Sequence, residues 1–202
     1  MQRAKPFVAL LLLAGSFATF YIPDLANYLA FEREAILKGE WWRLFSCHLV
    51  HFSFSHMLVN LAVLFFAYAI MWSKFRHLEY LLIYSILLIG PALFICDNHL
   101  MVFGGSSGLA AAAFFFILLD GSWSSTSIKK VLYCLVLLLC IGKSFYEFQF
   151  DVPKSIFLPE EVQTVPLCHL LGYLVATGVY FQRLNKLRTF GWFRLPQKKP
   201  SL

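Results

Sequence analysis

The sequence predicts an all-α, polytopic membrane protein, a bundle of six transmembrane helices. Two observations lead to this prediction. Of the 202 residues, 59% are hydrophobic and only 14% are charged, whereas soluble domains are roughly 45–50% apolar and about 25% charged. The mean hydropathy is +0.69, and the apolar residues form runs long enough to cross about 30 Å of hydrocarbon. We therefore expect most of the apolar surface to face lipid.

Six apolar runs supply the predicted spans, near residues 6–22, 51–72, 79–95, 103–119, 131–148 and 165–182. Each run is continuous and lacks the alternation of barrel strands, and a helix satisfies its own backbone hydrogen bonds in lipid. We predict a single membrane domain over 1–202, with an outer loop at 23–50 and a basic tail at 183–202. The first run resembles a signal peptide, but no clear small-x-small cleavage site follows it, which favours a retained helix.

The Lys and Arg residues indicate the orientation of the chain. Twelve of the 17 lie on one side of the predicted membrane, namely Arg3, Lys5, Lys74, Arg76, Lys129, Lys130, Arg183, Lys186, Arg188, Arg194, Lys198 and Lys199. Since basic residues concentrate in cytoplasmic loops, both termini are predicted to be cytoplasmic. The second, fourth and sixth helices then begin at the outer surface. The net charge of +6 is explained by this topology, and no nucleic-acid partner is expected.

Polar groups within the apolar runs are the candidates for function, because they are costly in lipid. Three polar clusters stand out, at 48–60, 104–108 and 168–172. Each cluster lies at the start of an even-numbered helix, so the predicted topology brings all three to the same outer depth. One histidine on an apolar face is more often a packing residue, but three converging clusters favour a site.

Ser107 is the predicted nucleophile and His169 the predicted base. Ser107 lies between Gly105 and Gly108, where a loop turns into a helix whose free N–H groups can stabilise an oxyanion. The same small residues could serve helix packing alone. A histidine side chain has an unperturbed pKa of about 6.5, so a histidine at position 169 is a suitable base for the serine proton. No Asp or Glu lies within the predicted sixth helix, which favours a Ser–His dyad over a triad.

His56 and Asn60 are the predicted side-chain donors of an oxyanion hole. They lie four residues apart, hence on one helix face, and would act with the Ser107 N–H. Their alternative role is to make hydrogen bonds between helices. A metal site is not expected, because the spacing of His51 and His56 points them to different faces and no carboxylate joins them within the membrane. We interpret the five cysteines, Cys47, Cys96, Cys134, Cys140 and Cys168, as small core residues.

The motifs together resemble the rhomboid intramembrane proteases over residues of about 40–180: Trp42-Arg43, His51, His56-x-x-x-Asn60, Gly105-x-Ser107-Gly108 and His169-x-x-Gly172. The resemblance implies that a Ser107–His169 dyad cleaves membrane-anchored proteins near the outer face, without a cofactor. It also implies that Arg43 orders the first outer loop and that His51 is structural at the start of the second helix. The family often places a tyrosine one turn after the serine, where this chain has Ala111. Phe114 and Tyr173 are the candidates to pack on His169 instead.

The stretch from Phe31 to Phe45 further resembles the rhombosortase subgroup, which consists of bacterial rhomboids of minimal length. The subgroup is associated with surface or secreted proteins that carry a C-terminal Gly-Gly motif, a helix and a basic tail. This implies transmembrane protein substrates with a C-terminal anchor helix, and a location in the bacterial inner (plasma) membrane with the active site on the periplasmic side.

Two other functions are less compatible with the sequence. A non-catalytic rhomboid-like protein would bind transmembrane segments, but such proteins normally lose the serine or the histidine, and both are present here. A transporter would carry charged residues deep in several helices, and the predicted spans lack them.

Overall fold

The computed structural model describes residues 6–150 and 165–189, and the described chain is mostly helical. Helix α1 (Phe7–Tyr21) is followed after Ile22 by α2 (Pro23–Leu29), and the two helices are bent by 120°. Pro23 explains the break, because proline has no N–H to continue α1 but fits the first turn of a new helix.

The segment predicted as an outer loop, 23–50, is largely structured. After α2 it forms strand β1 (Phe31–Glu32), helix α3 (Arg33–Leu37), helix α4 (Arg43–Ser46) and a 3-10 turn (Cys47–Leu49). Strand β1 pairs antiparallel with β2 (Val102–Phe103). These elements were not predicted from the sequence, because each is too short to show a periodic pattern of apolar residues.

Five long helices follow: α5 (Phe54–Ile70), α6 (Phe75–Cys96), α7 (Ser107–Ser124), α8 (Ser127–Phe150) and α9 (Pro166–Thr189). The spans predicted to begin at 51 and 103 therefore begin later. Ser53 caps α5 by accepting a hydrogen bond from the His56 N–H at 3.2 Å, as N-cap serines do. The start of α7 is delayed by the β1–β2 pairing and by Gly105, whose φ is 140°.

Three helices within the described residues are long and apolar enough to cross a membrane, namely Trp72–Cys96, Ser107–Ser124 and Ile128–Phe150. The number rises to five if α1 with α2, and Arg43–Leu49 with α5, each form one bent span. The predicted span 165–182 is helical in α9, but this helix is less apolar because its last turns carry several basic residues. An all-α membrane protein is thus confirmed, and the count of six spans stays a prediction.

Helix α7 is the central helix of the bundle. It packs against α5, α6, α8 and α9, and most of its residues from Gly108 to Leu118 are buried. Helix α8 lies at the periphery, since Ser144 is the one buried residue among its described side chains. The elements around α7 therefore determine what surrounds Ser107, its first residue.

Asp120, near the other end of α7, joins three segments. Its carboxylate accepts hydrogen bonds from Lys74 Nζ at 2.8 Å and from an Arg183 guanidinium nitrogen at 2.5 Å. The predicted topology puts Lys74 and Arg183 on one side of the membrane, and the structure brings both into contact with Asp120. Arg183 was predicted to begin the basic tail, but it belongs to α9 and is paired with Asp120. Residues 190–202 of that tail lie outside the described residues.

The five cysteines are free thiols, and they differ in burial. Cys47 and Cys168 are buried in the core as predicted, and Cys140 is partly buried. Cys96 and Cys134 are exposed, so the prediction that all five are core residues was wrong for these two. The reason is that a helix facing lipid can carry small apolar residues on its outer face, and hydropathy does not distinguish that face from the core.

Candidate active site

The N-terminal ends of α5 and α7 are held together by the loop that precedes Ser107. The Gly105 N–H donates to the Cys47 carbonyl at 3.0 Å. The Ser106 hydroxyl lies 3.2 Å from His51 Nε2, and His51 Nδ1 lies 3.3 Å from the Leu49 carbonyl. A carbonyl only accepts, so we assign the His51 proton to Nδ1 and let Nε2 accept from Ser106. His51 thus ties the start of α5 to the residue before the predicted nucleophile.

Glycine is required at position 105 for two reasons, its backbone conformation and the closeness of the His56 ring. Its φ of 140° is strained for residues with a Cβ. A Cβ at this position would lie 2.8 Å from His56 Cε1, which is closer than real contacts allow. The absence of a side chain therefore lets the His56 ring approach the loop directly.

Ser107 is the first residue of α7, where backbone N–H groups have no partner within the helix. Its hydroxyl oxygen lies 3.4 Å from Cys168 Sγ, on the residue before His169. Within residues 6–150 and 165–189, no hydrogen bond joins the Ser107 hydroxyl to the His169 ring. The structure thus brings the serine to the histidine-bearing turn of α9 but leaves the hydroxyl oriented toward the neighbouring thiol.

Two glycines allow α7 and α9 to come this close. A Cβ on Gly108 would lie 3.0 Å from the Cys168 carbonyl oxygen, and a Cβ on Gly172 would lie 2.4 Å from the Gly108 carbonyl oxygen. Both obstacles are backbone atoms, which cannot rotate away. Close approach of helices through small residues is typical in membranes, and here it positions Ser107 against the first turns of α9.

Replacing Gly172 by alanine is therefore expected to destabilise the protein by about 1–3 kcal/mol, since it overpacks a backbone contact. Thermal unfolding in detergent measures the effect as a lower Tm. Gly178→Ala is the matched control, because nothing lies within 4 Å of a Cβ at that position of the same helix and alanine in a helix stabilises by roughly 0.5–1 kcal/mol. Equal Tm values for the two variants would contradict the close packing.

The two predicted oxyanion donors both contain a buried nitrogen without a partner. Asn60 is buried, and neither its Nδ2 nor His56 Nδ1 has a hydrogen-bond partner among the described residues. A buried donor left unpaired costs about 1–3 kcal/mol. Both residues lie on α5, which packs on α7, the helix that begins at Ser107.

His169 is partly buried, and no aromatic ring is in contact with it among the residues described. Tyr173 stacks instead on Phe115, with ring centroids 4.6 Å apart, and Phe114 is exposed. Neither candidate for the ring missing at Ala111 fills that role. Two charged residues of α8, Lys143 and Glu147, are close enough to interact electrostatically with His169. Glu147 was not among the predicted site residues, although an acidic residue at the end of an apolar run is itself a signal of function.

Arg43 and Arg33 organise the segment that covers this end of the bundle. Arg43 is buried and donates to the carbonyls of Asn27 at 2.6 Å and Ala30 at 2.8 Å. Arg33, which the sequence analysis did not single out, donates to the carbonyls of Phe94, Asp97 and Leu100. Arg33 thereby caps the C-terminus of α6, as basic side chains can. Arg43 thus holds the segment 23–50 together, and Arg33 connects this segment to the end of α6 and to the loop that leads to Ser107.

The fold and the site define a helical integral membrane protein with a serine at the N-terminus of its central helix, next to a histidine-bearing turn. The model of the rhomboid domain family matches residues 38–182. The chain therefore belongs to the rhomboid family, a family of intramembrane serine proteases in which some members are inactive. A comparison with curated proteins finds no match. The rhomboid resemblance is confirmed, and the rhombosortase subgroup stays a prediction.

Proposed function

We propose that this protein is an active intramembrane serine endopeptidase in which Ser107 is the nucleophile and His169 the general base. Family membership supports the class of reaction. The observation that carries the proposal is that Ser107 begins a helix whose first N–H groups have no partner within it, and that α5, which packs on this helix, carries two buried nitrogens without a partner, on His56 and Asn60. Unpaired donors at this cost are expected where a developing negative charge will occupy them.

The reaction follows from these groups. Ser107 Oγ attacks the scissile carbonyl carbon while His169 takes the hydroxyl proton. The resulting oxyanion accepts hydrogen bonds from His56, Asn60 and the Ser107 N–H. His169 then gives its proton to the leaving amine, and water repeats the sequence on the acyl-enzyme.

The contact between Ser107 Oγ and Cys168 Sγ requires one rearrangement before chemistry. Rotation about the Ser107 side-chain torsion would turn the hydroxyl from the thiol toward the His169 ring. Catalytic hydrogen bonds are often long or misaligned without substrate. The same contact is the observation that favours the second candidate function, a non-catalytic protein that binds transmembrane segments.

We further propose six spans with both termini cytoplasmic, in a bacterial inner membrane, so that the site faces the periplasm. The substrates are proteins held by a C-terminal anchor helix, of the Gly-Gly type associated with rhombosortases. The distribution of Lys and Arg supports the orientation. Comparing anchored and secreted proteins in cells that carry wild-type or Ser107→Ala protein tests the substrate class. Loss of C-terminal processing in the variant is expected, and identical C-termini would contradict it.

A serine-directed fluorophosphonate probe separates the two candidate functions. The wild-type protein in detergent should be labelled at Ser107, because the probe needs a serine activated by a base. His169→Ala should remove the labelling. Wild-type protein that stays unlabelled at Ser107 would favour the non-catalytic binder.

Replacing Asn60 by alanine is expected to lower kcat by about 10²–10³-fold, as loss of one oxyanion donor does elsewhere. KM should change little, because the donor acts mainly on the transition state. Steady-state kinetics on a substrate found by the cellular comparison measures both constants. Asn98→Ala, at an exposed asparagine of the α6–α7 loop, is the control and should leave both constants unchanged. A kcat close to that of the wild type for Asn60→Ala would remove Asn60 from the oxyanion hole.

A further inference from the structure

Helices α8 and α9 are joined by a polar contact that lies one helical turn from His169. The Ser144 hydroxyl lies 3.2 Å from the Tyr173 hydroxyl. His169 lies one turn before Tyr173 on α9, and Glu147 lies one turn after Ser144 on α8. Residues three or four apart share a helix face, so in an antiparallel pair these two side chains belong to the same level. Their electrostatic interaction agrees with this register.

The Glu147 carboxylate is only half satisfied. Its Oε1 accepts from Lys143 Nζ at 2.5 Å, and its side chain is 19% exposed. Its Oε2 is buried and has no hydrogen-bond partner among the described residues. A charged acceptor left in this state costs more than an ordinary unpaired group, which marks Glu147 as a candidate for function.

The pair with Lys143 does not account for Glu147. The Lys143 side chain is 68% exposed and pairs with only one carboxylate oxygen of Glu147, so Oε2 stays without a partner. The order of the two charges is also the less favourable one, because an acidic residue stabilises a helix better when it precedes the basic residue.

His169 lacks what Glu147 could supply. No hydrogen bond orients its ring within residues 6–150 and 165–189, and no aromatic ring packs on it there. A base must present one nitrogen to the serine, and a carboxylate that accepts from the other nitrogen fixes the tautomer and stabilises the imidazolium.

We propose that Glu147 is a positioning residue for His169, with Oε2 accepting the ring N–H that is turned away from Ser107. The inference rests on the proposed Ser107–His169 chemistry. The Ser107 proton goes to the free ring nitrogen and later to the leaving amine. Glu147 keeps its negative charge throughout and receives no proton. The dyad thus becomes a triad whose acidic member comes from the neighbouring helix, α8, rather than from α9.

The rate of fluorophosphonate labelling at Ser107 tests the inference on purified full-length protein. Glu147→Gln should lower the maximal labelling rate by at least about 10-fold and leave the probe's half-saturating concentration unchanged, because Glu147 acts on the base and not on binding. Glu147→Asp should recover most of the rate. Glu34→Gln, at an exposed glutamate, is the matched control, and Tm is measured for every variant.

A double variant excludes the simpler role of neutralising Lys143. Lys143→Met with Glu147→Gln should be as slow as Glu147→Gln alone. A wild-type rate in the double variant, or in Glu147→Gln, would overturn the inference while the proposed function stands. Wild-type protein that is not labelled at Ser107 would overturn the proposed function, and the inference with it.

Discussion

Ser107→Ala protein is expected to fold and insert normally and to lose cleavage of its substrate by at least about 10⁴-fold, as removal of a serine nucleophile does. The hydroxyl supplies the only atom that forms the acyl-enzyme. It contributes little to stability, because its described contact is a long one to Cys168 Sγ at 3.4 Å. Cleavage of an anchored substrate in proteoliposomes gives the rate, and thermal unfolding in detergent shows that the fold is intact.

Ser106→Ala is the matched control for the nucleophile. Ser106 is buried and bonded to His51, so its loss should cost about 1 kcal/mol of stability and only part of the activity. An inactive Ser106→Ala variant together with an active Ser107→Ala variant would show that the nucleophile is Ser106 and not Ser107.

His169→Ala is expected to reduce cleavage by a similar factor, because a serine hydroxyl without a base is a weak nucleophile. The measurement is the same, and His99→Ala, at an exposed histidine of the α6–α7 loop, should behave as the wild type. Residues that act as one unit are strongly non-additive. The double variant Ser107→Ala/His169→Ala should therefore be no slower than either single variant. Retained activity in His169→Ala would end the dyad hypothesis.

Hydropathy was sufficient to predict the helices, but it located their ends less well. The predicted spans overlap α1, α5, α6, α7, α8 and α9, because lipid imposes long apolar helices. Their starts moved where local chemistry intervened, as at Ser53, whose side chain caps α5, and at Gly105, whose positive φ delays α7. The short elements between 23 and 50 were invisible to the same reasoning.

The charged residues allowed a prediction of the side of the membrane on which they lie, but not of the residues with which they form ion pairs. The sequence predicts Lys74 and Arg183 on one side of the membrane, but only the structure brings them together on the carboxylate of Asp120. Arg183 was consequently misread as part of the basic tail. The distribution of Lys and Arg predicts the side of the membrane on which a residue lies, whereas its ion-pair partners depend on which helices are neighbours.

The sequence alone was sufficient to identify the class of protein and the family, because lipid restricts membrane-spanning structure to long apolar helices. It also predicted the candidate chemistry, because few polar groups are tolerated within such helices. Which side chains meet across helices depended on the fold. The Gly108–Gly172 approach, the Ser107–Cys168 contact and the Ser144–Tyr173 contact are examples. Periodicity fixes the face of a residue on its own helix, but the rotation and the neighbours of that helix are set by packing of the whole bundle.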